Sequence, residues 1–144
     1  GWTYLAVQGI QMTMPAGAGV ALDPPFRGEW SVFHGGNSGL INHHFVHPHQ
    51  QYALDLDRAM KGPPDDPSRL ENYPAFGAPL YAPVEGMVTA ARDGLPDQAI
   101  GTTNEKEILG NYVVLRVAPD RYLLLAHLKQ GSVRVRAGQT VKRG

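Results

Sequence analysis

The 144-residue chain is long enough for one domain with a single hydrophobic core. Its 13 basic and 13 acidic residues cancel, which argues against nucleic acid or an anionic membrane as a partner, because both attract a net positive charge. No apolar run approaches the length of a membrane span, the N-terminus lacks the features of a signal peptide, and with no cysteine any zinc ligands must be His, Asp or Glu.

The first segment of the chain, residues 1–21, is predicted to form an edge strand followed by a linker. Residues 3–8 have the composition of a strand, and the small, turn-rich residues 14–25 separate it from the rest. The strand is interpreted either as the end of an upstream β domain or as an edge of the main sheet. The domain that follows is predicted to occupy residues 22–144.

A histidine-rich stretch follows. Five of the six histidines lie between His34 and His49, and an apolar strand carrying Asp55 comes directly after them. Imidazole nitrogens and a carboxylate oxygen are ligands that zinc accepts, so this stretch predicts a metal site. A surface loop without metal, with Asp55 accepting backbone hydrogen bonds, is the alternative from residue types alone.

The composition of the whole chain is typical of a mostly β, antiparallel protein with little helix. Seventeen glycines and twelve prolines are scattered between short apolar runs, which is typical of many short strands. Helical turns are expected only near residues 57–60 and 68–72. The predicted strands are residues 3–8, 28–33, 51–56, 79–82, 86–91, 111–117, 121–128 and 132–135. Residues 61–74 and 93–110 are predicted to be long excursions that form the rims of a cleft.

His127 ends the apolar run 123–126, and strand alternation predicts that it shares a face with Leu123 and Leu125. A lone histidine in this position is more often a hydrogen-bonded core or rim residue than a catalytic one.

Five short motifs occur in a particular order. A strand with Asp55 is followed by Gly77-Ala-Pro-Leu-Tyr-Ala-Pro-Val-Glu-Gly-Met-Val88, Gly110-Asn-Tyr-Val113, Ala126-His-Leu128 and Val135-Arg-Ala-Gly-Gln-Thr-Val-Lys-Arg-Gly144. This order resembles the lysostaphin-like zinc peptidases, with Leu80 where that family usually has Val. The resemblance spans roughly residues 22–144 and implies an antiparallel β-sheet or sandwich domain of the duplicated hybrid motif type.

The same resemblance implies roles for individual residues. Asp55 matches the family's metal-binding Asp. The common form of the family has its first ligand, a His, where this chain has Gln51, but a subset has an upstream Asn-x-His, which matches His44. We therefore expect His44 and Asp55 to bind zinc, with His43 as second choice for the imidazole. His47 and His49 are expected to be solvent-exposed.

The resemblance also implies that His127 is an acid/base or oxyanion-stabilising residue beside the metal and not a ligand. The family takes its third ligand from a His-x-His element downstream of the turn that contains Gly144. The chain is therefore interpreted as a fragment without that element, and His34 is the available stand-in.

The implied function is that of a zinc metalloendopeptidase that cleaves peptide cross-links of bacterial peptidoglycan, in the periplasm or outside the cell. Zinc-activated water would attack the scissile amide, with histidines handling protons. A degenerate domain of the same fold, acting as a cell-wall amidase activator or binding module, is the alternative. A histidine-rich metal-binding domain without hydrolysis ranks third, because it makes no use of the later motifs.

Overall fold

The computed structural model describes residues 19–144, which form two compact units. Residues 28–59 form the first unit, and residues 19–27 together with 60–144 form the second. The predicted strand at residues 3–8 lies outside the described part of the chain. The predicted boundary after residue 21 stays a prediction.

The first unit is built on a two-stranded antiparallel sheet. Strand β1 (Ser31–His34) pairs with β2 (Asp55–Asp57), and a 3₁₀ helix (His43–Val46) lies on the connection between them. Both strands were predicted, but β2 begins later than expected. Successive turns, in which Gln50 donates to His47 and Ala53 donates to Gln50, occupy the residues before it.

The first unit exposes many large apolar side chains. Among the described residues, none of the fully buried hydrophobic side chains belongs to residues 28–59. The exposed ones in this unit are Val32, Phe33, Leu40, Ile41, Val46, Tyr52 and Leu54. Hydrogen bonds are therefore important for the shape of residues 28–59.

The second unit contains a four-stranded antiparallel sheet with the strand order β5-β4-β3-β6. Its strands are β3 (Gly86–Arg92), β4 (Asn111–Ala118), β5 (Arg121–Leu128) and β6 (Thr140–Val141). The two central strands supply the core, formed by Val88, Val113 and Leu115. Alternate residues of β4 are buried, as a strand with one face on a core requires.

Two predicted strands of this unit are wrong. Residues 79–82 are not a strand, because Pro79 and Pro83 have no N–H to donate to a ladder and Tyr81 N instead donates to Pro25 O. Residues 132–135 are not a strand either, since the N–H of Val133 donates to the carboxylate of Asp93.

The helical content is small. A 3₁₀ helix at Leu70–Asn72 lies within one predicted helical region, whereas residues 58–60 form none and the 3₁₀ helix at His43–Val46 was not predicted. The prediction of a mostly β, antiparallel protein with little helix is confirmed. Within residues 19–144, no helix is long and apolar enough to cross a membrane.

Candidate metal centre

The strand pair of the first unit places His34 beside Asp55. The two residues are partners across β1 and β2, and the register shifts by one residue between Val32 and His34. Side chains of directly opposed residues lie on the same face of a sheet, and a bulge can redirect a side chain at the end of a strand. Pairing and bulge together bring the imidazole of His34 toward the carboxylate.

The 3₁₀ helix brings two more imidazoles to the same place. Asn42 caps the helix by accepting a hydrogen bond from the backbone N–H of His44, as Asn commonly does before a helical turn. His43 and His44 follow the cap directly. Their rings lie 3.8 Å apart between centroids, and the ring of His43 lies 4.2 Å from that of His34.

Both oxygens of Asp55 face histidine nitrogens. His44 Nε2 lies 2.9 Å from Asp55 Oδ1, and His43 Nδ1 lies 3.8 Å from Asp55 Oδ2. The ligand atoms of His34, His43 and Asp55 all lie within 4.8 Å of one another, so these three residues could hold a metal ion. We call His34, His43, His44 and Asp55 the histidine cluster.

The hydrogen bonds of His44 suit a ligand. Its Nδ1 lies 3.1 Å from Gln50 Oε1. In the tautomer that donates Nδ1–H to Gln50, Nε2 carries a lone pair aimed at Asp55 Oδ1, and two acceptors 2.9 Å apart repel unless a proton or a cation compensates. Two ligand atoms on one tetrahedral zinc ion lie about 3.3 Å apart, close to the observed separation. Ligating histidines also commonly donate their second N–H to an oxygen.

The electrostatics of the cluster favour a neutral imidazole at His43. The pKa of His43 lies below its usual value, first because of partial removal from water and then because His44 and His34 repel a further positive charge. Asp55 opposes the shift by raising the pKa. A neutral imidazole offers a free lone pair, which is the form that binds metal.

The structure thus brings together His44 and Asp55, the two predicted ligands. It also places two further imidazoles close enough to Asp55 to be metal ligands. His34, the stand-in, and His43, the second choice, are the imidazoles that share the candidate group with Asp55. The ligand role of His44 stays a prediction. His47 and His49 are exposed, as expected.

The predicted catalytic residue, His127, belongs to the second unit and does not follow the predicted alternation. Leu125 pairs with Val113 and Leu128 pairs with Asn111, so two residues of β5 lie opposite the single residue Tyr112. This bulge gives His127 a φ of +59°, in the left-handed region. In a regular strand, residues separated by an odd number of positions point to opposite faces. Because of the bulge, Leu128 instead packs on the core as Leu123 does, and His127 is exposed.

His127 lines a cavity of about 290 Å³ in the second unit. The walls include the apolar residues Leu70, Phe76, Leu95, Ile108 and Leu128. The two carboxylates of the lining are already engaged: Glu107 pairs with Arg92 at 2.6 Å, and Asp97 accepts the N–H of Gln130 at 2.7 Å. The cavity therefore suits an uncharged group.

The sequence analysis assigned no role to the side chains of two buried asparagines. Asn42 and Asn111 are the buried polar residues of the described chain, 1% and 3% exposed. Asn111 bonds to both backbone groups of Leu95 and to the carbonyl of Leu128, next to His127. Asn42 lies in the Asn-x-His motif and Asn111 in the Gly-Asn-x-Val motif, but neither motif indicates that the amide is buried or which backbone groups it binds. Comparisons with protein-family models, curated proteins and solved structures found no match for this chain.

Proposed function

We propose that this chain belongs to a zinc metalloendopeptidase that cleaves peptide cross-links of bacterial peptidoglycan. The observation that carries the proposal is the convergence of three imidazoles on the carboxylate of Asp55, in a chain whose later motifs resemble the lysostaphin-like peptidases. A metal cluster without those motifs would support metal binding alone. The substrate places the protein in the periplasm or outside the cell.

The histidine cluster would hold the zinc ion. Two sets of ligands are available, and Asp55 belongs to both. The order of the motifs favours His44 as its partner, whereas the mutual distances favour His34 and His43. When bound, zinc would polarise a carbonyl and lower the pKa of a water molecule. Asp55 and the imidazoles supply the compact mixture of nitrogen and oxygen donors that zinc accepts.

His127 would transfer protons. Among the described residues, no side chain forms a hydrogen bond with its ring, and the ring is exposed. An imidazole without a hydrogen-bonded protein partner is available to exchange a proton with a substrate or with water. The cavity beside it would receive an uncharged part of the peptide.

The second candidate is a catalytically degenerate domain of the same fold that activates an amidase or binds a partner. Gln51 favours it, because a glutamine stands where the common form of the family has its first histidine ligand. The backbone carbonyl of Gln51 bonds to Asn42, and Gln51 is not part of the candidate metal group.

Metal content and turnover separate the candidates. We expect the complete protein to bind one zinc ion and to cleave cross-linked muropeptides. Asp55→Ala should lose both properties, whereas His127→Ala should keep the metal and lose turnover by about 10²- to 10⁴-fold. His49→Ala, which changes an exposed histidine of the same loop, is the control. Zinc binding without cleavage in any buffer would favour the binding module.

Single alanine variants of the three imidazoles assign the ligands. If His44 binds zinc, His44→Ala should weaken zinc affinity far more than His34→Ala does. The reverse order would assign the site to His34 and His43. Isothermal titration calorimetry of each metal-free variant with Zn²⁺ measures these affinities.

A further inference from the structure

The side chain of Asn42 is almost fully buried and fully hydrogen-bonded. Its Oδ1 accepts from His44 N at 3.0 Å, and its Nδ2 donates to Gly36 O and to Gln51 O, each at 2.9 Å. Only 1% of the residue is exposed. A buried amide with all of these bonds made fixes the backbone segments that it joins.

The three partners belong to the three segments that carry the histidine cluster. Gly36 lies two residues after His34, the capped residue is His44 itself, and Gln51 lies four residues before Asp55. Gly36 has a φ of +104°, which allows the chain to turn back toward Asn42 directly after His34. One side chain thus connects every segment that supplies a candidate ligand.

We propose that Asn42 is a positioning residue that sets the geometry of the metal centre by holding these three segments together. The inference rests on the metal site of the proposed function. Asn42 does not itself touch the ligand atoms of the cluster; it acts through the backbone of Gly36, His44 and Gln51.

The amide group is chemically specific to this task. Asn provides an acceptor for His44 N and two donors for the carbonyls of Gly36 and Gln51. An Asp side chain keeps the acceptor but has no donor when ionised, so both carbonyls would face a carboxylate. A Ser side chain keeps an acceptor and offers one donor. The two substitutions therefore remove different parts of the network.

The other buried amide, Asn111, provides a matched control. Its Oδ1 also accepts one backbone N–H, and its Nδ2 also donates to two carbonyls, but all of its partners lie in the second unit. Asn42→Asp and Asn111→Asp remove the same donors from equally buried sites. A general loss of stability should affect both variants alike, whereas loss of positioning should affect only Asn42→Asp.

The test titrates the metal-free full chain with Zn²⁺ alone at a temperature where circular dichroism shows each variant to be folded. We expect Asn42→Asp to weaken zinc affinity by about 10- to 100-fold, as loss of a residue that supports metal ligands does. Asn42→Ser should lose less affinity, and Asn111→Asp should bind as the unaltered chain does. At saturating Co²⁺, the visible spectrum of Asn42→Asp should differ from that of the other proteins.

Wild-type affinity in folded Asn42→Asp would overturn the proposal, and so would an equal loss in Asn111→Asp. If either Asp variant fails to fold, the comparison passes to Asn42→Ser and Asn111→Ser with the same criteria. If the unaltered chain binds no zinc, the metal site of the proposed function fails. Asn42 is then judged in the metal-free protein by the amides near the two released carbonyls, those of Gly35 and Ala53, which donate to Ile41 O and Gln50 O. Faster hydrogen exchange of these amides in Asn42→Asp but not in Asn111→Asp supports its role, and unchanged exchange rejects it.

Discussion

The imidazole of His43 titrates among two other imidazoles and one carboxylate. Its pKa lies below the usual 6.5, because of partial removal from water and then because of His44 and His34, while Asp55 raises it. Replacing His44 with Gln removes a like charge, so the pKa of His43 should rise toward its usual value. Replacing Asp55 with Asn removes the attractive charge, so the pKa should fall further. The ring signals of His43 in an NMR titration of the metal-free chain measure both shifts.

The two variants change the pKa in opposite directions, so each serves as the control of the other. Shifts of the same sign in both would mean that burial alone, and not the neighbouring charges, governs His43. A lowered pKa also keeps the imidazole neutral to lower pH, and protons then compete less with a metal ion. Zinc binding should therefore persist somewhat below pH 6.5.

At the residue scale, the sequence predicted which side chains would converge but not how they would be arranged. Asp55 and the paired histidines could be identified, because imidazoles and a carboxylate at short spacing suggest a common site. The selection among His34, His43 and His44 could not be made, since it depends on a bulge in β1 and on the cap that Asn42 provides. The bulge depends on the pairing of β1 with β2, which are distant in sequence, and the cap depends on a side-chain orientation that the residue type of Asn42 does not fix.

Strand β5 shows the same limit at the scale of an element. Alternation places His127 on the face of Leu123 and Leu125, and it fails because the bulge inserts one residue before Leu128. A one-residue shift moves every later side chain to the other face. No residue type in Ala126-His-Leu128 indicates a bulge. The bounds of β5 itself were predicted correctly from its apolar run.

The bulge predicts an unusual response to glycine. His127 adopts a φ of +59°, a conformation that costs most residues roughly 1–2 kcal/mol and glycine almost nothing. His127→Gly should therefore leave the free energy of unfolding unchanged or raise it by up to about 1 kcal/mol, and His127→Val should lower it. Urea unfolding followed by fluorescence measures the difference.

A glycine elsewhere in the same strand is the control. Leu124 is exposed and paired with Val114 in the regular part of the ladder, so Leu124→Gly should destabilise the chain. Destabilisation by both glycine variants would show that the left-handed conformation of His127 carries no strain. If His127→Gly is more stable than the unaltered chain but lacks the proposed peptidase activity, the backbone strain at His127 is a stability cost that the proposed function requires.

The turn after β5 depends on the carboxylate of Asp93. This side chain accepts the N–H groups of Gly94, Gly131 and Val133, and the bonds from Gly94 and Gly131 are the largest causes of a pKa below the usual 3.8. A lowered pKa contributes stability that is present above pH 3.8 and is lost as the pH falls through the folded-state pKa. Asp93→Asn should thus lower the thermal midpoint at neutral pH and have a smaller effect in acid.

Asp66→Asn tests whether the long-range contacts of Asp93 matter. Asp66 also has a lowered pKa, but the bonds of its carboxylate reach only Ser68, two residues away. We expect a smaller change in the midpoint from this variant, because no distant segment is released. Scanning calorimetry from neutral pH to well below pH 3.8 follows the loss of the stability that each carboxylate contributes.

At the scale of the whole chain, the two units differ in what stabilises them. The three fully buried hydrophobic side chains of the described residues all belong to residues 60–144. A small unit without such a core commonly relies on a metal or a crosslink. We therefore expect Zn²⁺ to slow amide hydrogen exchange within residues 28–59 and to leave the sheet of β3, β4 and β5 unchanged.

The expected stabilisation by zinc depends on its concentration relative to its dissociation constant. Zinc at 100 times its dissociation constant should stabilise the unit that holds it by about 2.7 kcal/mol, and a chelator should reverse the change. Exchange measured by mass spectrometry, with Asp55→Ala as the control, reports each unit separately. Equal protection of both units would indicate that they unfold as one, and no protection in either would argue against the site.

The burial of Asn42 also bears on how the protein ages. Asparagine is among the thermolabile residues. Its spontaneous deamidation releases ammonia and, after water opens the cyclic imide, leaves aspartate or isoaspartate, and neither has a donor for the Gly36 and Gln51 carbonyls. Deamidation requires the next backbone nitrogen to swing onto the side-chain carbonyl, a motion that the bonds of Asn42 oppose. Each opening of the loop between β1 and β2 would expose the amide to this chemistry. The rate at which the candidate metal site is lost to deamidation would then be set by how often that loop opens, and an ion bound to the histidine cluster would slow that loss.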